Sequence, residues 1–174
     1  MVCVFAFWFL IFNFMVLFSH MLVGAAIGSK IHSFWAIFVL ALVSHFLFDR
    51  LPHWEYGRRF GHLLNSSPRQ LLFFSLEVSL DLFLGLAIVF WLAWSSPARW
   101  LILFGALISL LPDGLIFIFI FLRRSFNWEV KCLEKFYFFH HKIHIPENKN
   151  PFVWGIITEA LIVILSIYFI PHLF

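Results

Sequence analysis

The sequence predicts an all-α fold, a polytopic transmembrane helical bundle of about five spans, or six if the extreme N-terminus crosses separately. Three observations predict it. Of the 174 residues, 63% are hydrophobic and only 12% charged, about half the charged fraction of an ordinary soluble domain. Phe alone accounts for 26 positions. Apolar stretches near the roughly 18-residue length of a spanning helix recur along the whole chain. Residues 20–174 read as a single transmembrane domain, with no room for a separate soluble one.

Helices are expected at 3–29, 33–50, 71–94, 100–122 and 152–170. The first is long for one crossing, since 27 residues rise about 40 Å against a hydrocarbon core of about 30 Å. Residues 1–19 are therefore an apolar N-terminal segment, either an extra span or an extension of the first helix, with a break near Ser19-His20. That segment lacks a basic start and a small-residue cleavage site, so it reads poorly as a signal peptide. Gly24-Ala25-Ala26-Ile27-Gly28 is a GxxxG pattern that lets helices approach closely. It is expected to tighten the hairpin with the second helix, which follows at once.

The links at Ser29–Ser33 and Ser95–Arg99 are short. Pro112, in the middle of the fourth helix, is expected to open it just before Asp113. Segment 126–139, FNWEVKCLEKFYFF, mixes aromatics with charges and suits an interfacial position. Trp35, Trp54, Trp91, Trp94, Trp100 and Trp154 lie near expected helix ends, as interfacial anchors do.

The net charge of +3 says more about orientation than about partners, and no nucleic acid is invoked. Arg50, Arg58, Arg59, Arg69, Arg123, Arg124, Lys131, Lys135, Lys142 and Lys149 all fall on one side, which the positive-inside rule makes cytoplasmic. Cys3 and Cys132 are far apart and form no CxxC pair, so no disulfide framework is expected.

Ionisable residues inside the spans carry the functional signal. Each costs about 2.5–3.5 kcal/mol at the bilayer centre, so such groups are rare and mark function. Counted from the outer turn at Ile31-His32, His20 lies about 17 Å deep and His45 about 20 Å, and Asp113 is about 20 Å below Arg99-Trp100. From the cytoplasmic side, Glu77 lies about 10 Å in and Glu159 about 12 Å. In a core of about 30 Å these are one level. His45 shares a face with Asp49, and Glu77 with Asp81, by i,i+4 spacing. Two carboxylates one turn apart in lipid repel unless protonated or bridged by a cation.

A single buried His or acid is often only a packing group. Several converging from separate helices point to a metal ion instead. The expected ligands are His20, His45, Asp49 and Asp113, with Asp81 and one or more of His140, His141 and His144 completing the shell. Mixed imidazole and carboxylate donors suit Zn, Mn or Fe, and this many suit two ions. Glu159 or Glu77 is the expected catalytic proton carrier. His53 and His62 read as loop residues, and His32 and His172 as interface residues.

Ser19-His20-Met21-Leu22-Val23-Gly24, the HxxxD of His45 and Asp49 followed by Pro52-His53-Trp54, the Leu111-Pro112-Asp113 step and the His140-His141 pair occur in that order. Together they resemble the small bacterial inner-membrane proteins called membrane-bound metal-dependent hydrolases. The resemblance covers about 20–165. The family's Asp-rich LPDxDH step appears here only as Asp49 with Arg50-Leu51-Pro52-His53. The resemblance implies a hydrolase of the bacterial inner membrane acting on a phosphoester or lipid-like substrate, and the depth of the polar layer favours an amphiphilic one whose scissile group lies near the headgroups of the membrane lipids.

A second class of function uses the same residues. A metal-ion or proton transporter would place its translocation site in this polar layer, with the broken helix at Pro112-Asp113. Against it, the outer half of every expected span is almost purely apolar. Haem ligation by His20 and His45 sits poorly with so many carboxylates at one level. No Walker-type glycine loop or Ser-His-Asp order is present.

Overall fold

The computed structural model describes residues 16–51, 64, 67–143 and 152–170. Among them are seven α-helices and no strand: α1 (Val16–Lys30), α2 (Phe34–Phe48), α3 (Pro68–Ala93), α4 (Arg99–Ser109), α5 (Leu111–Phe126), α6 (Lys131–Ile143) and α7 (Phe152–Phe169). The stretch before Val16, including most of the 1–19 segment, lies outside the described residues.

α1 is the hub. Leu17, Ser19, His20, Met21, Leu22, Ala25 and Ser29 are all buried, which covers every side of the helix. It packs against α4, α3, α7 and α2, most extensively against α4. Glycine makes that possible. An added methyl at Gly24 would collide with the Gly105 carbonyl, one at Gly28 with the Leu101 carbonyl, and one at Gly105 with the Gly24 carbonyl. The GxxxG pattern thus seats α1 on α4, not on the neighbouring α2 as its position suggested. The reason is reciprocal: α4 offers its own glycine opposite, so the two backbones meet.

α2 starts at Ser33, whose hydroxyl accepts from the Ala36 N–H, and buries Ile37, Ala41 and His45 along one i,i+4 strip that Asp49 extends. Its other face leaves Trp35, Val39, Val43 and Leu47 exposed. α3 starts at a capping box between Ser67 and Gln70, with Pro68 in its first turn. It buries Phe74, Asp81, Gly85 and Val89, while Leu76, Leu80, Phe83, Leu84 and Trp91 stay exposed. With 26 residues, α3 is the one described helix long and apolar enough by itself to cross a membrane.

The expected fourth helix is two. α4 and α5 meet at a 46° bend around Leu110, where together they are long and apolar enough for one broken span. Pro112 lacks an N–H and crowds the preceding turn, which ends α4 and leaves Asp113 in the first turn of α5. α5 closes at Asn127, whose φ of 54° is left-handed and whose N–H bonds the Leu122 carbonyl.

Only the later part of segment 126–139, from Lys131, enters a helix of its own, α6, which continues to Ile143. It packs on α5 through Leu133, Phe136, Tyr137 and His140, an i, i+3, i+4, i+7 face. α7 buries Gly155, Glu159, Ser166 and Ile170 towards α1, with Leu161, Ile164, Leu165 and Tyr168 exposed. Ser29 Oγ lies 3.2 Å from the Phe169 carbonyl oxygen, so α1 and α7 end side by side and run parallel.

Candidate metal centre

Four pieces of chain meet at one point. α1 carries His20 to it, α2 carries His45 and Asp49 on successive turns, the α4–α5 bend carries Asp113, and the inner face of α6 carries His140. His45 Nε2 lies 3.3 Å from Asp49 Oδ2 and 3.6 Å from Asp113 Oδ1. His140 Nε2 lies 3.3 Å from Asp49 Oδ2 and 3.5 Å from Asp113 Oδ1. The two imidazole nitrogens are 3.2 Å apart.

Those spacings have a simple meaning. Donors held at about 2.1 Å around a tetrahedral ion stand about 3.4 Å from one another. Five of the six edges between these four atoms run from 3.2 to 3.6 Å, while the two carboxylates, Asp49 and Asp113, belong to separate donor triads. His20 approaches from the other side, its Nε2 3.4 Å from Asp49 Oδ1 and its ring 4.4 Å from that of His45. Two overlapping triads, His20–His45–Asp49 and His45–Asp113–His140, each keep their donor atoms within 4.8 Å of one another.

Solvent is nearly excluded. The side chains of His45, Asp49, His140 and His20 are 0%, 1%, 3% and 5% exposed, while that of Asp113 is 21% exposed. Phe46 stands edge-on to His45 and His140, and Phe136 closes over His140. Taking carboxylates out of water is costly unless a counter-charge or hydrogen bonds replace it. Burial, donor chemistry and spacing together make this a cluster that can hold a metal ion.

The remaining expected site residues lie as follows. Asp81 is buried on α3, and its Oδ2 accepts a 2.8 Å hydrogen bond from the Leu17 N–H. It is absent from both donor triads and caps the first turn of α1. Glu77 is half-buried one turn before it. Glu159 is buried, faces α1, and lies ten residues before Phe169 just as Ser19 lies ten before Ser29. At about 15 Å per ten residues, that is the level of Ser19 and His20.

His141 is exposed and lies 3.5 Å from the Tyr137 hydroxyl, against whose ring it packs. Burial pushes the Tyr137 hydroxyl above its ordinary 10.0. His144, His53 and His62 lie outside the described residues. The aromatic wall of Phe46 and Phe136 was not singled out in the sequence. The apolar period of α6 was the signal that separates His140 from His141, since only His140 continues the buried face.

No family model matches this chain, and no curated protein or solved structure matches it either. Among the described residues the fold is all-α, with one helix clearly long and apolar enough to cross a membrane, and the site is a buried His/Asp cluster able to hold a metal ion.

Proposed function

We propose that this chain is a multi-pass inner-membrane protein that holds a divalent transition metal, Zn, Mn or Fe, and hydrolyses a phosphoester or lipid-like substrate near the cytoplasmic headgroups. The observation that carries the reading is the set of 3.2–3.6 Å separations among two imidazoles and two carboxylates. The mixed nitrogen and oxygen donors suit those metals. The membrane part rests on the apolar outer faces of α2, α3 and α7, where Trp35, Val43, Phe83, Trp91, Ile164 and Tyr168 stand exposed. The motif order that resembles the small bacterial hydrolases supports the same class.

A metal held there supplies Lewis acidity and makes water acidic enough to be a nucleophile near neutral pH. His45, His140, Asp49 and Asp113 hold it, His20 steadies Asp49 or takes a second ion, and the phenylalanine wall excludes bulk water. Hydrolysis adds the oxygen of water to the phosphorus or acyl carbon, breaks the ester bond, and returns the proton to the leaving oxygen. Glu159, buried at the level of His20, is the residue proposed to move that proton, with the half-buried Glu77 on α3 as the alternative.

Elemental analysis of detergent-purified protein tests this. One or two transition-metal ions per chain are expected, removed by chelation and lost in His45→Ala. Stoichiometry near zero in metal-supplemented cells ends the proposal. The 46° bend beside Asp113 favours a second reading, transport of a metal ion or protons. Ion flux into proteoliposomes that Asp113→Asn abolishes, without hydrolysis of any ester, selects it.

A further inference from the structure

Asp49 presents its two oxygens to different imidazoles. Oδ2 lies 3.3 Å from both His45 Nε2 and His140 Nε2, whereas Oδ1 lies 3.4 Å from His20 Nε2. A hydrogen bond between nitrogen and a carboxylate oxygen runs at about 2.7–3.2 Å, while two donors on one ion stand about 3.4 Å apart. The His20–Asp49 spacing is of the second kind. Both side chains are buried, and the His20–His45–Asp49 triad meets the same 4.8 Å limit as His45–Asp113–His140. His45 belongs to both triads, but its Nε2 faces Asp113 and His140.

Charge bears on the count of ions. One divalent ion among His45, His140, Asp49 and Asp113 is balanced by the two carboxylates. With all four groups on it, a tetrahedral ion keeps no position for water or substrate, and catalytic sites keep one open. A second ion at His20 and Asp49 Oδ1 changes both terms. Most of its positions stay open, and four positive charges then face two negative ones. Beside the rings of Phe46 and Phe136, that excess is costly unless an anion joins it. A phosphate ester supplies negative charge, and a carboxylic ester does not.

We propose that the centre is dinuclear. Asp49 bridges two divalent ions, Oδ2 to the one held with His45, His140 and Asp113, and Oδ1 to the one held by His20, and the pair takes an anionic phosphate ester in preference to a neutral carboxylic ester. This rests on the metal-centre reading and adds to it the number of ions, the bridging residue and the substrate class. Ions paired in this way in hydrolytic sites stand about 3.5–4 Å apart and clamp the attacking and leaving oxygens together.

The test loads detergent-purified protein with Mn(II) and reads ion content and the electron paramagnetic resonance spectrum together. Wild type should hold two ions per chain, with the broadened spectrum of a spin-coupled pair. His20→Ala should hold one, with the sharp hyperfine lines of an isolated ion. Inorganic phosphate should alter the wild-type spectrum saturably, and methyl acetate at equal concentration should leave it unchanged. A single ion or an uncoupled spectrum in wild type, two ions retained in His20→Ala, or equal response to the two probes overturns the proposal. The wild-type measurements need no variant, so a poorly folding His20→Ala does not rescue it. A single uncoupled ion in wild type leaves the metal-centre reading standing, whereas no ion at all overturns that reading along with this one.

Discussion

His20 and Asp49 meet across two helices, Nε2 to Oδ1 at 3.4 Å, while the second oxygen of Asp49 stands 3.3 Å from both His45 and His140. Asp49 is the carboxylate that meets all three imidazoles. Asp49→Asn keeps its shape and removes its charge. Metal affinity should fall more than about 100-fold, beyond the 10–100-fold typical of outer partners. Competition with a calibrated chelator measures this, and an affinity within tenfold of wild type counts against a bound cation.

The adjacent imidazoles of α6 should separate cleanly. His140→Ala should lose metal, because its ring is buried 3.2 Å from His45. His141→Ala should retain full stoichiometry, because that ring is exposed against Tyr137. Elemental analysis of the two variants side by side decides it. Equal loss in both would mean that α6 is needed only for folding.

Asp81 should behave as a cap. Asp81→Leu removes the acceptor for the Leu17 N–H and should cost about 1 kcal/mol, the usual loss for an N-terminal capping contact. Asp81→Asn keeps an oxygen acceptor and should recover most of it. Thermal melts in detergent report the cost, and metal content should stay at wild type in both. Metal loss from a well-folded Asp81→Asn would restore Asp81 to the ligand set.

The glycines should split into two groups. Gly24→Leu and Gly105→Leu force apart backbones in contact and should destabilise by about 1–3 kcal/mol or more, as overpacking does. Gly114→Leu has open space and should stay within about 0.5 kcal/mol of wild type. Melting temperatures of the three in one detergent settle the comparison.

Tyr137 gives a pH dependence of known sign. Its folded form holds the proton more tightly than the unfolded chain, whose value is near 10.0. The native state therefore binds more protons above pH 10, and stability falls as pH rises from there towards the raised folded value. Tyr137→Phe should flatten that part of the profile. Melts at pH 9 and pH 10.5 for both proteins show the difference, and parallel profiles would mean the hydroxyl is solvated.

Much of this was legible because helix periodicity carries depth and face together. His45 and Asp49 lie one turn apart on one helix, so their pairing needed no tertiary information. His20 and Asp113 followed from counting 1.5 Å per residue inwards from the turns. The break at Pro112 followed from ring sterics alone. Two features were not legible. Asp81 shares the polar level, but depth says nothing of azimuth, and its hydrogen bond to the Leu17 N–H at the start of α1 could not be read from spacing. GxxxG marks a surface of close approach without naming who approaches, and α4 matched it with Gly105.

The bend between α4 and α5 divides the cluster mechanically. His45 lies in the last turn of α2 and Asp49 caps that turn, its N–H bonded to the His45 carbonyl, so one helix end sets their spacing. Asp113 sits on the far arm of a joint, where a few degrees of rocking move its carboxylate relative to both imidazoles. One half is a stiff jaw and the other a compliant one. Exchange of the guest, and accommodation of guests of unequal radius, should therefore proceed from the Asp113 arm while the α2 pair stays still.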